Sequence, residues 1–145
     1  MAKDDSYELA LAEMKKNPPA ITKAKQLLES ALDKGDPRAS YALGTWYFHG
    51  KHVPQDTKTG IKLIKHAALS DVPDACYDLA VSYEEGKGVK KNENKAIEFY
   101  VRALMNGEKQ SIYEVGRCLY YGIGTSKNSS LAKIFLRHAK KIGIK

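Results

Sequence analysis

Apolar residues along the chain recur at spacings of three and four, in blocks separated by short Gly- and Pro-containing stretches. That pattern predicts amphipathic helices joined by tight connections. Ala39, Leu43, Trp46, Tyr47 and Gly50 share one face of such a helix, suited to packing on a second one. Asp36-Pro37 reads as an N-cap followed by proline at the first helical position, and Gly50 as a left-handed stop. This defines a helix A. Asp56, Asn92 and Asn128 can each cap a following helix B, running to about Leu69, Gly107 and Gly143. The links Gly50-Lys51-His52-Val53-Pro54, Gly86-Lys87-Gly88-Val89 and Gly122-Ile123-Gly124-Thr125 are short enough to force antiparallel neighbours.

The pattern has a fixed period. A shift of 36 aligns Ala39-Ser40-Tyr41-Ala42-Leu43-Gly44 with Ala75-Cys76-Tyr77-Asp78-Leu79-Ala80, and then with Ile112-Tyr113-Glu114-Val115-Gly116. Tyr41, Tyr77 and Tyr113 share one phase, Gly50, Gly86 and Gly122 another, and Ala67, Ala103 and Ala139 a third. Carried backwards, the shift puts Leu27 under Leu63, Leu28 under Ile64 and Ala31 under Ala67, so residues 1–35 read as a degenerate copy. The expectation is one repeat domain over 1–145, with repeats at 36–71, 72–107 and 108–145, and no room for a separate catalytic domain. A single helical pair cannot bury its apolar faces, so the pairs must stack into a solenoid. Gly44 and Gly116 sit mid-helix at a cost of about 1 kcal/mol against alanine, and with Ala80 they mark where another helix comes close.

Ala-x-Tyr-x-Leu-Gly-x-x-Tyr-x-x-Gly from Ala39 to Gly50, and Gly-x-Gly-Val at Gly86 followed by Lys95, Ala96, Tyr100 and Ala103, carry a resemblance. The chain resembles the Sel-one-like repeat (SLR) proteins, relatives of tetratricopeptide arrays. It departs from their pattern at Gly60, where alanine is usual, at Leu119 in place of the second tyrosine, and at Asp71 in place of the terminal glycine. The resemblance implies an all-α, right-handed superhelix of about four 36-residue helix-turn-helix repeats, the first degenerate, whose A helices line a concave groove. It also implies an adaptor role towards other proteins, or, as in some small bacterial members, neutralisation of a secreted toxin. It brings no catalytic residues and no cofactor.

Composition narrows the class without naming a partner. Hydrophobic residues make up 43% and charged residues 28% of the 145, ordinary for a globular protein. With no long apolar run and no signal-like start, the expectation is a cytoplasmic protein that does not span a membrane. Two cysteines cannot form the disulfide framework of a small secreted scaffold. Cys76 and Cys118 are placed on neighbouring A helices, offset along the axis by about 9 Å and sideways by about 9 Å, beyond the roughly 7 Å reach of a disulfide. Both read as small core residues, and Trp46 as packing between the degenerate first repeat and the second.

The net charge is +7, but its distribution matters more. If Ala39, Leu43 and Tyr47 face the core, the opposite stripe of each A helix lines the groove. That stripe offers Arg38, Ala42, Thr45 and His49, then Asp74, Asp78, Val81 and Glu85, then Gln110, Glu114, Arg117 and Tyr121. From Asp71 to Glu85 there are five acids and no Lys or Arg, whereas residues 108–145 carry eight Lys or Arg against two acids. The basic positions Lys133, Arg137, Lys140, Lys141 and Lys145 fall on or after the last B helix. The predicted binding residues are Arg38, Thr45, His49, Asp74, Asp78, Glu85, Glu114, Arg117 and Tyr121, receiving a basic segment of a protein partner, with Tyr113 as further aromatic area. The same acids also fit a solvated helix face.

Other chemistry is weaker. His49 and His52 flank a turn without the further ligands zinc needs, and His66 and His138 fall at surface positions, so no metal site is predicted. The glycine pairs lack phosphate-loop spacing, and Asn128-Ser129-Ser130 reads as a helix cap rather than a glycosylation site. A hydrolase built on the repeats is disfavoured because no nucleophile lies beside a base. Nucleic-acid binding through the basic C-terminal face is disfavoured because the basic residues avoid the groove. The expected function is a non-enzymatic protein-binding module, either an immunity protein or an adaptor or scaffold in signalling or assembly, with self-association left open by the apolar residues of the last helix, Leu131, Ile134, Phe135 and Ile142.

Overall fold

The computed structural model describes residues 4–144; the first three residues and Lys145, the last of the basic positions noted above, lie outside the described residues. Among the described residues the fold is all-α, with no strand. The helices are α1 (Ser6–Met14), α2 (Ile21–Asp33), α3 (Pro37–His49), α4 (Thr57–Leu69), α5 (Pro73–Glu85), α6 (Glu93–Met105), α7 (Ser111–Tyr121) and α8 (Ser129–Lys141). They pair in order as four hairpins, each an A helix followed by a B helix.

Local sequence sets the helix ends. Asp36 Oδ1 accepts from the Arg38 backbone N–H at 3.0 Å, with Pro37 opening α3. The side chains of Asp56, Asn92 and Asn128 accept from the N–H groups of Thr59, Lys95 and Leu131 at 3.0, 3.1 and 3.0 Å. Each satisfies a donor that the first helical turn leaves without a partner. One turn geometry repeats three times: the N–H groups of Asp56, Asn92 and Asn128 donate to the carbonyls of Tyr47, Tyr83 and Leu119 at 2.8, 2.8 and 2.9 Å.

The B helices stop slightly earlier than expected. α4 reaches Leu69, but α6 and α8 end at Met105 and Lys141, two residues before Gly107 and Gly143. The reason is the closure: Gly107 N–H donates to the Leu104 carbonyl at 3.1 Å and Glu108 N–H to the Ala103 carbonyl at 2.9 Å, so the glycine sits one step past the cap with φ 97°. Asp71 occupies the equivalent place after α4 and keeps the left-handed backbone, φ 62°, without being glycine. Its carboxylate accepts from Arg102 Nε at 2.6 Å and from Asn106 Nδ2 at 3.4 Å.

The chain forms two compact units, the first ending at Ser70 and the second beginning at Asp71. In the first, α2 packs on α3, and Ala10, Ala24, Leu28, Ala31, Ala39, Leu43 and Trp46 make one buried cluster. Trp46 therefore fills space between the first and second hairpins, with the His52 ring edge-on at 4.8 Å. Tyr47 is only half-buried and Gly50 exposed, so the core face is narrower than the predicted one, while Phe48 joins it. The repeat phase holds for α2, whose buried Ala24, Leu28 and Ala31 match Gly60, Ile64 and Ala67 of α4. It slips in α1, because the link at 15–20 is one residue shorter than the link at 50–56.

Small residues bring the helices of a hairpin together. A Cβ at Gly44 would lie 2.8 Å from Ile64, and one at Gly116 would lie 2.9 Å from Leu136. Gly60 is tighter still: a Cβ there would lie 2.5 Å from the Phe48 backbone nitrogen. In the second unit α6 packs on α7, and the fully buried side chains include Cys76, Leu79, Tyr100, Ser111 and Cys118. Neither cysteine is in a disulfide, and both are fully buried.

Candidate partner-binding surface

The stripe read from the sequence lies on the accessible side of the A helices, and none of its positions is buried. Three of the nine residues belong to the first unit. Arg38 is exposed at the start of α3, where its guanidinium donates to Asp36 Oδ2 at 2.7 Å and to Glu8 Oε1 at 2.9 Å and covers the Tyr7 ring at 4.3 Å. Asp36, chiefly, with Glu8 holds that guanidinium more firmly protonated than usual. The Thr45 hydroxyl turns back on its own helix and donates to the Ala42 carbonyl at 2.8 Å. His49 is exposed at the end of α3, its ring edge-on to Phe48 at 5.0 Å.

The other six lie in the second unit. Asp74 is exposed in the first turn of α5, Asp78 is half-buried one turn on, and Glu85 is exposed at the helix end. Glu114 and Arg117 of α7 are not simply presented to solvent. Arg117 Nη2 donates to Glu84 Oε1 at 2.7 Å, and Arg117 Nε donates to Glu114 Oε2 at 2.8 Å. The Tyr100 hydroxyl of α6 donates to the same Glu84 oxygen at 2.9 Å, and the Tyr77 hydroxyl to Glu114 Oε1 at 3.4 Å. The two tyrosine rings meet edge-on at 5.7 Å. Tyr121, at the end of α7, is 62% exposed and lies edge-on to Tyr120 at 4.9 Å.

This network of two carboxylates, one guanidinium and two phenols joins α5, α6 and α7. The Arg117 guanidinium holds the Glu84 carboxyl below its ordinary range despite partial burial, with the Tyr100 hydroxyl helping. Burial, above all, pushes Tyr100 up, and pushes Tyr77 up to about 12, so both remain neutral donors at physiological pH. By sequence alone Glu84 is one more acid of α5, and Tyr100 is not among the predicted binding residues. A signal was there: Glu84 stands in the phase of Phe48 and Tyr120, and Arg117 in the phase of Thr45 and Val81, so opposite charges enter otherwise uncharged phases of successive repeats.

Of the five acids between Asp71 and Glu85, Asp71 is engaged by Arg102 and Glu84 by Arg117. Asp74, Asp78 and Glu85 are the acids the stripe of α5 carries. On α7 and α8, Tyr113, Arg117, Tyr120, Tyr121 and Leu136 line a cavity of about 250 Å³. Burial raises both thiols, Cys118 to about 11, away from the depressed range of reactive cysteines. Among the described residues no three His, Cys, Asp or Glu side chains gather as a metal cluster, and no helix is long and apolar enough to cross a membrane.

The Sel1 repeat model matches four times, at residues 7–36, 37–71, 73–108 and 109–142. The chain belongs to the Sel1 repeat family. The first match falls on the degenerate copy, whose α1 and α2 form a hairpin like the others. Among solved structures, the chain is similar to c5321, a protective antigen of uropathogenic Escherichia coli strains with an SLR fold, at 27% identity and a TM-score of 0.89 over 97% of this chain. It spans 31% of that longer protein. It is also similar to a Sel1 repeat protein from Oxalobacter formigenes, at 32% identity and a TM-score of 0.75, over 81% of this chain and 89% of the other. Helicobacter pylori cysteine rich protein B shares the fold at 22% identity and a TM-score of 0.62, over 83% and 92% of the two chains. No curated protein matches. These neighbours place the chain in the SLR solenoid class, and Sel1 repeats generally mediate protein–protein interaction.

Proposed function

We propose that this Sel1 repeat protein is a non-enzymatic, cytoplasmic binding module whose α5 stripe, Asp74, Asp78 and Glu85, receives a basic segment of a protein partner. One observation carries the reading: Asp74 and Glu85 are exposed on α5, a helix without Lys or Arg from Pro73 to Glu85, while Arg117 of the α7 stripe is engaged by Glu84 and Glu114. Such a surface attracts and orients a basic partner more than it adds raw affinity. Tyr121 supplies aromatic contact area at the rim. Arg38, Thr45 and His49 are the corresponding stripe positions of α3 in the first unit. The partner class includes a toxin, which would make the chain an immunity protein; an adaptor partner uses the same stripe.

The test begins with affinity purification from the native cell and mass spectrometry to obtain the partner, followed by titration. Asp78→Lys with Glu85→Lys is expected to weaken binding by at least roughly tenfold, mostly through slower association at low salt. Unchanged affinity in that double variant removes the stripe from the function.

A further inference from the structure

The last hairpin presents a second surface, of opposite sign. In the second unit, Tyr100 of α6 shares the Glu84 carboxylate with Arg117 of α7, and Leu104 of α6 lines a cavity with Ile112 of α7. These residues belong to the stripe Ile97, Tyr100 and Leu104, the side of a B helix on which the next hairpin stacks, with Val101 at its exposed edge. One period later the same stripe of α8 reads Lys133, Leu136, Arg137 and Lys140. Three apolar or aliphatic positions have become cations, while the central one remains apolar.

A purely polar cap would be flat and wet. Here the centre stays apolar and hollow. Two adjoining cavities, of about 480 and 250 Å³, share Tyr113 and Leu136; the larger runs to Lys140 and Ile144, and the smaller to Tyr120 and Tyr121. Tyr113 stands in the phase of Tyr77, whose ring meets Tyr100 beneath α7. The floor therefore has the register that receives a helix, and the rim has positive charge.

We propose that this face docks an acidic amphipathic helix of a protein partner, seated across α7 and α8 as α7 is seated on α6. Charge selects the occupant. α8 carries Lys133, Arg137, Lys140 and Lys141 and no Asp or Glu from Ser129 to Lys141, so a second copy meeting through the same face would oppose cation to cation. A phosphate backbone would use the cations but not the apolar floor.

The full chain is titrated by fluorescence anisotropy with a synthetic helix of about 20 residues, long enough to hold its fold, carrying Leu at i, i+3, i+4 and i+7 and Glu elsewhere. Its twin carries Lys in place of Glu, and oligothymidylate is the third probe. The Glu peptide is expected to bind roughly tenfold or more tighter than the Lys twin, with amide shifts at Tyr113, Leu136 and Ile144. Lys133→Glu with Lys140→Glu should reverse that order, and added salt should weaken the Glu peptide alone. The Asp78→Lys, Glu85→Lys chain should still bind the Glu peptide, which separates this face from the α5 stripe. Equal binding of the twins, no binding, shifts confined to α5, stronger binding of oligothymidylate, or dimerisation abolished by Lys133→Glu with Lys140→Glu would each overturn the proposal.

Discussion

Arg117 of α7 reaches back across one repeat to place Nη2 2.7 Å from Glu84 Oε1 of α5, and the same guanidinium accompanies Glu114 of its own helix. Side chains at both ends are about three-quarters or more shielded from solvent. Without the arginine, two carboxylates would face each other across a half-buried gap.

Arg117→Ala is therefore expected to destabilise the second unit by about 2 kcal/mol, the range for hydrogen bonds to charged groups that lose their partner. Glu84→Gln should cost less alone and should recover part of the loss when combined with Arg117→Ala. Urea midpoints of the four chains measure the coupling. Additive effects would deny the network. The pH dependence follows in sign: the folded Glu84 carboxyl lies below its ordinary value of 4.5, so its contribution is full above that value and is lost as pH falls through the lower folded pKa. Stability of the native chain should drop more steeply below pH 4.5 than that of Glu84→Gln.

Gly60 tests the close approach of α3 and α4. Alanine is the better helix former by about 1 kcal/mol, and alanine stands at the equivalent Ala96 of α6. At Gly60, however, the added Cβ would lie 2.5 Å from the Phe48 nitrogen and 2.7 Å from its Cα. Backbone cannot swing aside as a side chain can, so Gly60→Ala is expected to lower stability by about 2 kcal/mol. A thermal melt showing stabilisation would mean that the hairpin opens freely at this point.

Asp71 balances two effects. A left-handed backbone costs most L-residues about 1 kcal/mol or more, Asp being among the tolerant ones, while its exposed pair with Arg102 at 2.6 Å contributes at most about 1 kcal/mol. Asp71→Gly should then be nearly neutral, and Asp71→Ala should be about 1 kcal/mol less stable than Asp71→Gly, because both lose the pair and alanine alone keeps the strain. Chemical denaturation of the three chains orders them. Equal stability of the alanine and glycine variants would show that the backbone term is absent.

Much of the architecture was legible because its causes are local. Proline after Asp36, the caps at Asp56, Asn92 and Asn128, and the recurring glycine stops act within a few residues of themselves, and a period of 36 repeats them in register. The sequence by itself therefore determined four helical hairpins, buried thiols at Cys76 and Cys118, and an accessible stripe on the A helices. It did not determine where each helix stops within a turn, since Gly107 and Gly143 act one step past the cap. Nor did it separate charges that are presented from charges that are engaged. Arg117 and Glu84 lie 33 residues apart and meet only because α7, packed on α6, comes within side-chain reach of the end of α5. Phase records which face a residue takes along one helix, whereas pairing depends on which side chain of the neighbouring hairpin comes within 3 Å, and packing in three dimensions alone decides that.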